Sequence, residues 1–207
     1  MKRRTVLSQA LYASAAFASP PPIIIPVHRI TDSRAQCTPE QFDRFWYGIW
    51  PEALRDLGRC GVQIQTTDGP GEIRRTAADR PVFVGLQPGA LNLVVTDHIP
   101  MTWDRGRALA GITTMTEQLH LTVIALRYAH GHQIPYLSVN TFIHELLHAL
   151  LGDIYVQRTN VAQESARELR VDSLATRVWL FHDGSDIRSA AERYVVRLGW
   201  PVSKPAP

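Results

Sequence analysis

The segment His144-Glu145-Leu146-Leu147-His148 constrains this chain more than any other stretch of it. It lies inside an apolar run, with Thr141-Phe142-Ile143 before it and Ala149-Leu150-Leu151 after it. Residues four apart stack on one face of a helix, so the two imidazoles point the same way. Phe142, Ile143, Leu146, Leu147, Leu150 and Leu151 then form the rest of a core helix. Ser138 or Asn140 is a plausible start for it and Gly152 a plausible stop. Two His at this spacing can give two nitrogen ligands to one Zn²⁺. Glu145 then stands beside a metal-bound water, placed to take its proton as general base. A helix locked in a core is the rigid support that such a site needs.

A catalytic zinc ion keeps three protein ligands and one open position, so the chain must supply a third donor. Asp153 follows His148 closely, but it would lie on the far side of a continued helix and reaches the metal only if the chain turns back at Gly152. The other candidates lie in a second helical pattern whose apolar positions include Leu169, Leu174, Ala175, Val178, Trp179 and Phe181. There Glu164, Glu168 and Asp172 are spaced four apart and share one stripe. Three acids on one stripe repel each other unless a cation balances them. Arg167 and Arg170 offer the alternative, a solvated acidic edge. Spacing alone leaves these options open.

H-E-x-x-H followed by E-x-x-x-D on a second helix resembles the gluzincin branch of the zinc metallopeptidases, the thermolysin-like group. The segment from Glu168 to Ala175 is also similar to the E-x-x-x-D-x-x-A helix of the HtpX-like and ImmA/IrrE-like peptidases. The resemblance covers roughly residues 138–182 and does not extend to the N-terminal half. It implies that His144, His148 and Glu168 bind one Zn²⁺, that Glu145 is the general base, and that Asp172 orients a ligand His. The chain lacks the length for the large C-terminal domain of thermolysin-like enzymes. It also lacks the H-E-x-x-H-x-x-G-x-x-H pattern, which disfavours a metzincin.

Composition narrows the remaining classes. At 207 residues with 45% hydrophobic content, the chain has the size and make-up of one globular domain. No apolar run reaches the roughly 18 residues of a membrane span. Residues 1–18 read as a signal peptide: Lys2, Arg3 and Arg4 form a basic start, an Ala/Leu-rich stretch follows, and small residues precede Ser19. The expected localisation is secreted or periplasmic, the alternative being a cytoplasmic protein with an N-terminal tail. The formal charge of +3 comes from that leader. Without those three residues, 19 of the 22 basic residues remain against 19 acidic ones. A nucleic-acid partner is therefore not expected.

The rest of the chain reads as an organised domain. Residues 19–36 are expected to be a Pro-rich linker, residues 37–200 a single zincin-like domain, and residues 201–207 a tail. Thr38-Pro39-Glu40-Gln41 is a helix start with Thr as N-cap, Pro at N1 and Gln at N3. Cys37 and Cys60 flank that helical pattern. A disulfide between them requires a helical hairpin breaking at Gly48 to Pro51. Strands are expected at 61–67, 81–85, 91–96 and 119–126, with a turn at Asp68-Gly69-Pro70-Gly71 and irregular chain over 97–118. Leu91–Thr96 or Leu119–Leu126 could be the sheet edge that pairs with substrate backbone, as in zincins. His98, His120, His130 and His132 are ordinary surface or core His unless shown otherwise. His130, His132, Tyr136 and Tyr155 are candidates to stabilise an oxyanion. No G-x-S-x-G elbow or phosphate loop occurs.

The expected fold is α+β, a small mixed sheet over the H-E-x-x-H helix with C-terminal helices. The expected activity is zinc-dependent hydrolysis of peptide bonds, with a peptide or protein as substrate. The alternative is a zincin-shaped binding or regulatory module with little hydrolytic activity.

Overall fold

The computed structural model describes residues 20–78, 80–99, 110–115, 119–127, 138–151, 161–181 and 184–200, and all their side chains except those of 115, 161–165 and 181. The expected signal peptide, the tail, Gly152, Asp153, His130, His132, Tyr136 and Tyr155 lie outside the described residues. So does the side chain of Glu164. No described helix is long and apolar enough to cross a membrane.

The architecture is a mixed α+β one. In chain order, strand β1 (Ile23–Asp32) leads to helices α1 (Pro39–Asp43) and α2 (Trp50–Arg59), joined by a π-helical stretch (Arg44–Ile49). Strands β2 (Val62–Arg75), β3 (Pro81–Val84), β4 (Leu91–Thr96), β5 (Gly111–Met115) and β6 (His120–Ala125) follow. Helices α3 (Val139–Leu151), α4 (Val161–Thr176) and α5 (Ser185–Arg197) complete the described chain, with a second π stretch (Arg177–Phe181) after α4. The strands form a six-stranded sheet in the order β3-β2-β1-β4-β6-β5. The inner four are mutually parallel, and each edge strand is antiparallel to its neighbour.

The linker expected over 19–36 gives way to β1, an inner strand of that sheet. Ile23, Ile25, Val27 and Ile30 are all buried, the near-continuous apolar run of a parallel strand covered on both faces. Pro26 falls one residue before β4 joins β1 at Val27, where that side of the strand has no ladder to interrupt.

The turn expected at 68–71 is also absent. β2 runs straight through it, paired with β1 from Val62 to Gly71. Its glycines serve close approach instead. A Cβ at Gly69 would lie 2.5 Å from His28 Cε1, and one at Gly71 would lie 2.5 Å from Ile30 Cγ2.

The helical run after Cys37 does not fold back as a hairpin. Thr38 N–H donates to Gln41 Oε1 at 2.9 Å, one half of the expected capping box. Further on, Trp50 N–H reaches Phe45 O, an i→i−5 bond. This wider π turn lets the helix continue into Pro51, whose ring and missing N–H disrupt an ordinary helical ladder. From Pro39 to Arg59 the run spans about 30 Å. Cys37 and Cys60 accordingly form no disulfide, and burial with the charge of Asp97 pushes the Cys37 thiol up to about 11.

Two apolar clusters cover the two faces of the sheet. The larger joins Ile25, Val27, Leu93, Val95 and Ile124 to Phe45 and Leu57 of the first helical run and to the buried faces of α3, α4 and α5. The smaller holds Ile30, Val94, Ile99, Leu121 and Val123 on the other face. Every residue of β4 and β6 is buried. Neither is a substrate-pairing edge, since each has a neighbour on both sides; among the described residues the edge strands are β3 and β5. Helix α3 is the core helix its sequence suggests. Phe142, Ile143, Leu146, Leu147 and Leu150 are buried, and Thr141 N–H bonds to Ser138 Oγ at its start.

Candidate metal centre

Helix α3 packs against α4, and this contact brings the sequence candidates together. His144 Nε2 and His148 Nε2 lie 2.9 Å apart. Glu168 Oε2, from α4, lies 3.3 Å from the first and 3.5 Å from the second. Among the described residues this is the one group of three metal-ligating side chains in close mutual reach. Four ligands at about 2.0–2.1 Å from a tetrahedral zinc stand about 3.3–3.4 Å from each other. The three observed separations average close to that edge, so the donors fit a zinc ion with its fourth position open. Two imidazole lone pairs and a carboxylate facing one point need a cation or protons between them.

The tautomer follows from the next turn of α4. Asp172 Oδ1 accepts the Nδ1–H of His144 at 2.8 Å. With Nδ1–H given to Asp172, Nε2 is the nitrogen that faces His148 and Glu168: with no metal bound it donates its proton to Glu168, and deprotonated it offers a lone pair to a cation. Glu168 and Asp172 are four apart on α4, so one helical face supplies both the third donor of the cluster and the acceptor that orients His144. Electrostatics agree. Hydrogen bonds from His144 and then His148 hold the Glu168 carboxyl far below its usual range. Burial pushes the His144 imidazole down, but the Glu168 hydrogen bond and the charges of Glu145, Asp172 and Glu168 outweigh it and hold it up.

Glu145 is buried among other partners. Its carboxyl is pushed up by desolvation, against the pull of His148 and His144. Strand β5 lies directly on it. The Thr113 hydroxyl is 3.0 Å from the Glu145 carbonyl oxygen and 3.3 Å from its Oε2. A Cβ at Gly111 would fall 2.4 Å from both Cγ and Cδ of Glu145. Only a glycine leaves room for this carboxylate.

Residues 97–118 look irregular in sequence, yet Gly111–Met115 is strand β5. Contacts between positions 111–113 and 145 have no local signature. The one hint was a glycine followed by alternating residues, Gly111-Ile112-Thr113. Two other His are placed away from the triad. His120 is in the core, its Nδ1 2.9 Å from Tyr194 Oη. His98 lies past the end of β4, paired with Asp97.

Compared with protein-family models, with curated proteins and with solved structures, the chain matches none.

Proposed function

We propose that this chain is a zincin-type zinc metallopeptidase that hydrolyses peptide bonds in a peptide or protein substrate. The observation that carries the reading is the convergence of His144, His148 and Glu168, with Asp172 behind His144. Bound there, Zn²⁺ supplies Lewis acidity toward a carbonyl oxygen and lowers the pKa of a water molecule. His144 and His148 hold two positions from one rigid helix, and Glu168 adds a charge-neutralising third. Glu145 sits next to the first ligand with a raised pKa. It is suited to take a proton from water and return it to the leaving amine.

Strand β5 supplies a further argument. Among the described residues it pairs with β6 alone, and it lies against Glu145. A substrate backbone added along its outer side would run beside the general base.

The test is Glu145→Gln, with zinc content and hydrolysis of an unfolded protein substrate measured together. Zinc should remain stoichiometric while turnover falls by about 10²–10⁴-fold, the usual weight of a general base. Full activity in this variant would defeat the mechanism.

A further inference from the structure

A second polar cavity lies at the carboxyl ends of the parallel strands, and the metal centre does not use it. β1 and β4 are neighbours whose onward chains diverge. After β1 the chain runs into the first helical run, whose Phe45 in the π stretch and Leu57 in α2 pack on one face of the sheet. After β4 it passes Ile99, which packs on the other face with Ile30 and Val94. Divergence of this kind opens a crevice outside the strand ends, where ligands of open α/β sheets sit. Here the cavity is about 480 Å³, bounded by Asp32, Arg34, Arg75, Thr96, Asp97 and His98 among others. That volume suits a small molecule.

The charges in it are built in layers. Asp32 and Asp97 are buried at the strand ends, and both are engaged from within the protein. Asp32 accepts the N–H groups of Ile73 and Arg34 on Oδ1 and the Thr96 hydroxyl on Oδ2, the last at 2.8 Å. Asp97 Oδ2 accepts Nδ1–H of His98 at 2.9 Å. Burial pushes the Asp97 carboxyl up, but the hydrogen bonds it accepts from His98 outweigh that. That bond fixes the tautomer, so His98 Nε2 presents its lone pair to Arg75 Nη2 at 3.3 Å. A carboxylate thus orients an imidazole, and the imidazole orients a guanidinium at the cavity wall. Arg34, largely exposed and 3.8 Å from the Glu72 carboxylate, stands on the same cavity. The result is a negative inner end and a positive rim.

We propose that this cavity binds a small polar molecule with an oxyanion at one end, held by Arg75 and Arg34, and hydrogen-bond donors at the other, facing Asp32 and Asp97. Guanidinium forks match carboxylate and phosphate geometry, and buried carboxylates favour hydroxyl or ammonium donors. The site is separate from the metal centre. Val95 packs in the cluster that holds α3, so Thr96 and the cavity face the other side of the sheet. The proposal therefore stands or falls independently of the peptidase reading.

Two probes distinguish the oxyanion sources: glycerol 3-phosphate and L-alanine, each titrated calorimetrically into the full chain at constant ionic strength. At least one should saturate below about 10 mM, a weak but specific affinity. Arg75→Gln should weaken it about tenfold or more, the weight of one lost charge-assisted contact. Glu168→Gln should bind the probe as the unaltered chain does. Saturation by neither probe, or equal binding by Arg75→Gln, would overturn the proposal. If Arg75→Gln fails to fold, Arg34→Gln reads the same contact.

Discussion

Gly111 and Glu145 are a pair in which the smaller residue dictates what the larger can do. The Gly111 backbone passes so close to the Glu145 side chain that any Cβ would collide with its carboxyl carbon. Gly111→Ala must therefore move either β5 or the carboxylate. Overpacking of this kind costs about 1–3 kcal/mol. The expected outcome is a lower melting temperature and a reduced kcat with zinc content unchanged. Retention of full kcat would show that the placement of Glu145 against β5 is not needed. At this scale the sequence was informative about chemistry and silent about neighbours. His144, Glu145 and His148 were legible because one helix carries them. Glu168 was legible only through its resemblance to a known second helix. Gly111 and Thr113 were not legible, because residues on an edge strand reach the site from another part of the chain.

At the scale of elements, two helices divide the work. α3 is buried on most sides and fixes the two His, whereas α4 brings Glu168 and Asp172 on a more exposed face. The second helix should therefore tune the site more than it holds the fold. Asp172→Asn keeps the size of the side chain but weakens its hold on the His144 tautomer. The expected effect is a loss of about 10–100-fold in zinc affinity, read by competition with a chelator, with little change in melting temperature. An unchanged affinity would remove Asp172 from the site. The elements that the sequence misjudged share a physical cause. Proline and glycine usually mark linkers and turns, yet in β1 and β2 they lie inside strands. Pro26 sits where β1 has only one neighbour, and Gly69 and Gly71 admit His28 and Ile30. Pro51 likewise leaves its helix unbroken because a π turn absorbs it. Such compensations come from tertiary neighbours, which a single sequence does not display.

At the largest scale, the described residues form a parallel-centred sheet with the candidate metal centre on the face covered by α3, α4 and α5 and a polar crevice at the strand ends toward the other. Its acid stability should depend on His120, buried between the sheet and Tyr194. Burial, then the charge of Arg197, holds this imidazole below its usual pKa. A depressed His pKa means that the unfolded chain takes up a proton before the folded one does. Stability is thus full above about pH 6.5 and falls as the pH drops below it. The melting temperature should decline between pH 7.5 and 5.5, and His120→Gln should decline less. Equal slopes would assign the acid sensitivity elsewhere. The mixed α+β class was readable from the strand and helix patterns, whereas the strand order was not. Order depends on crossovers that local periodicity does not record.

The most direct measurement is anomalous diffraction at the zinc absorption edge from crystals of the full chain grown with stoichiometric zinc. One strong peak is expected within about 2.0–2.2 Å of His144 Nε2, His148 Nε2 and Glu168 Oε2. No peak there, or one coordinated by a different set of residues, would contradict the metal centre and the peptidase reading built on it.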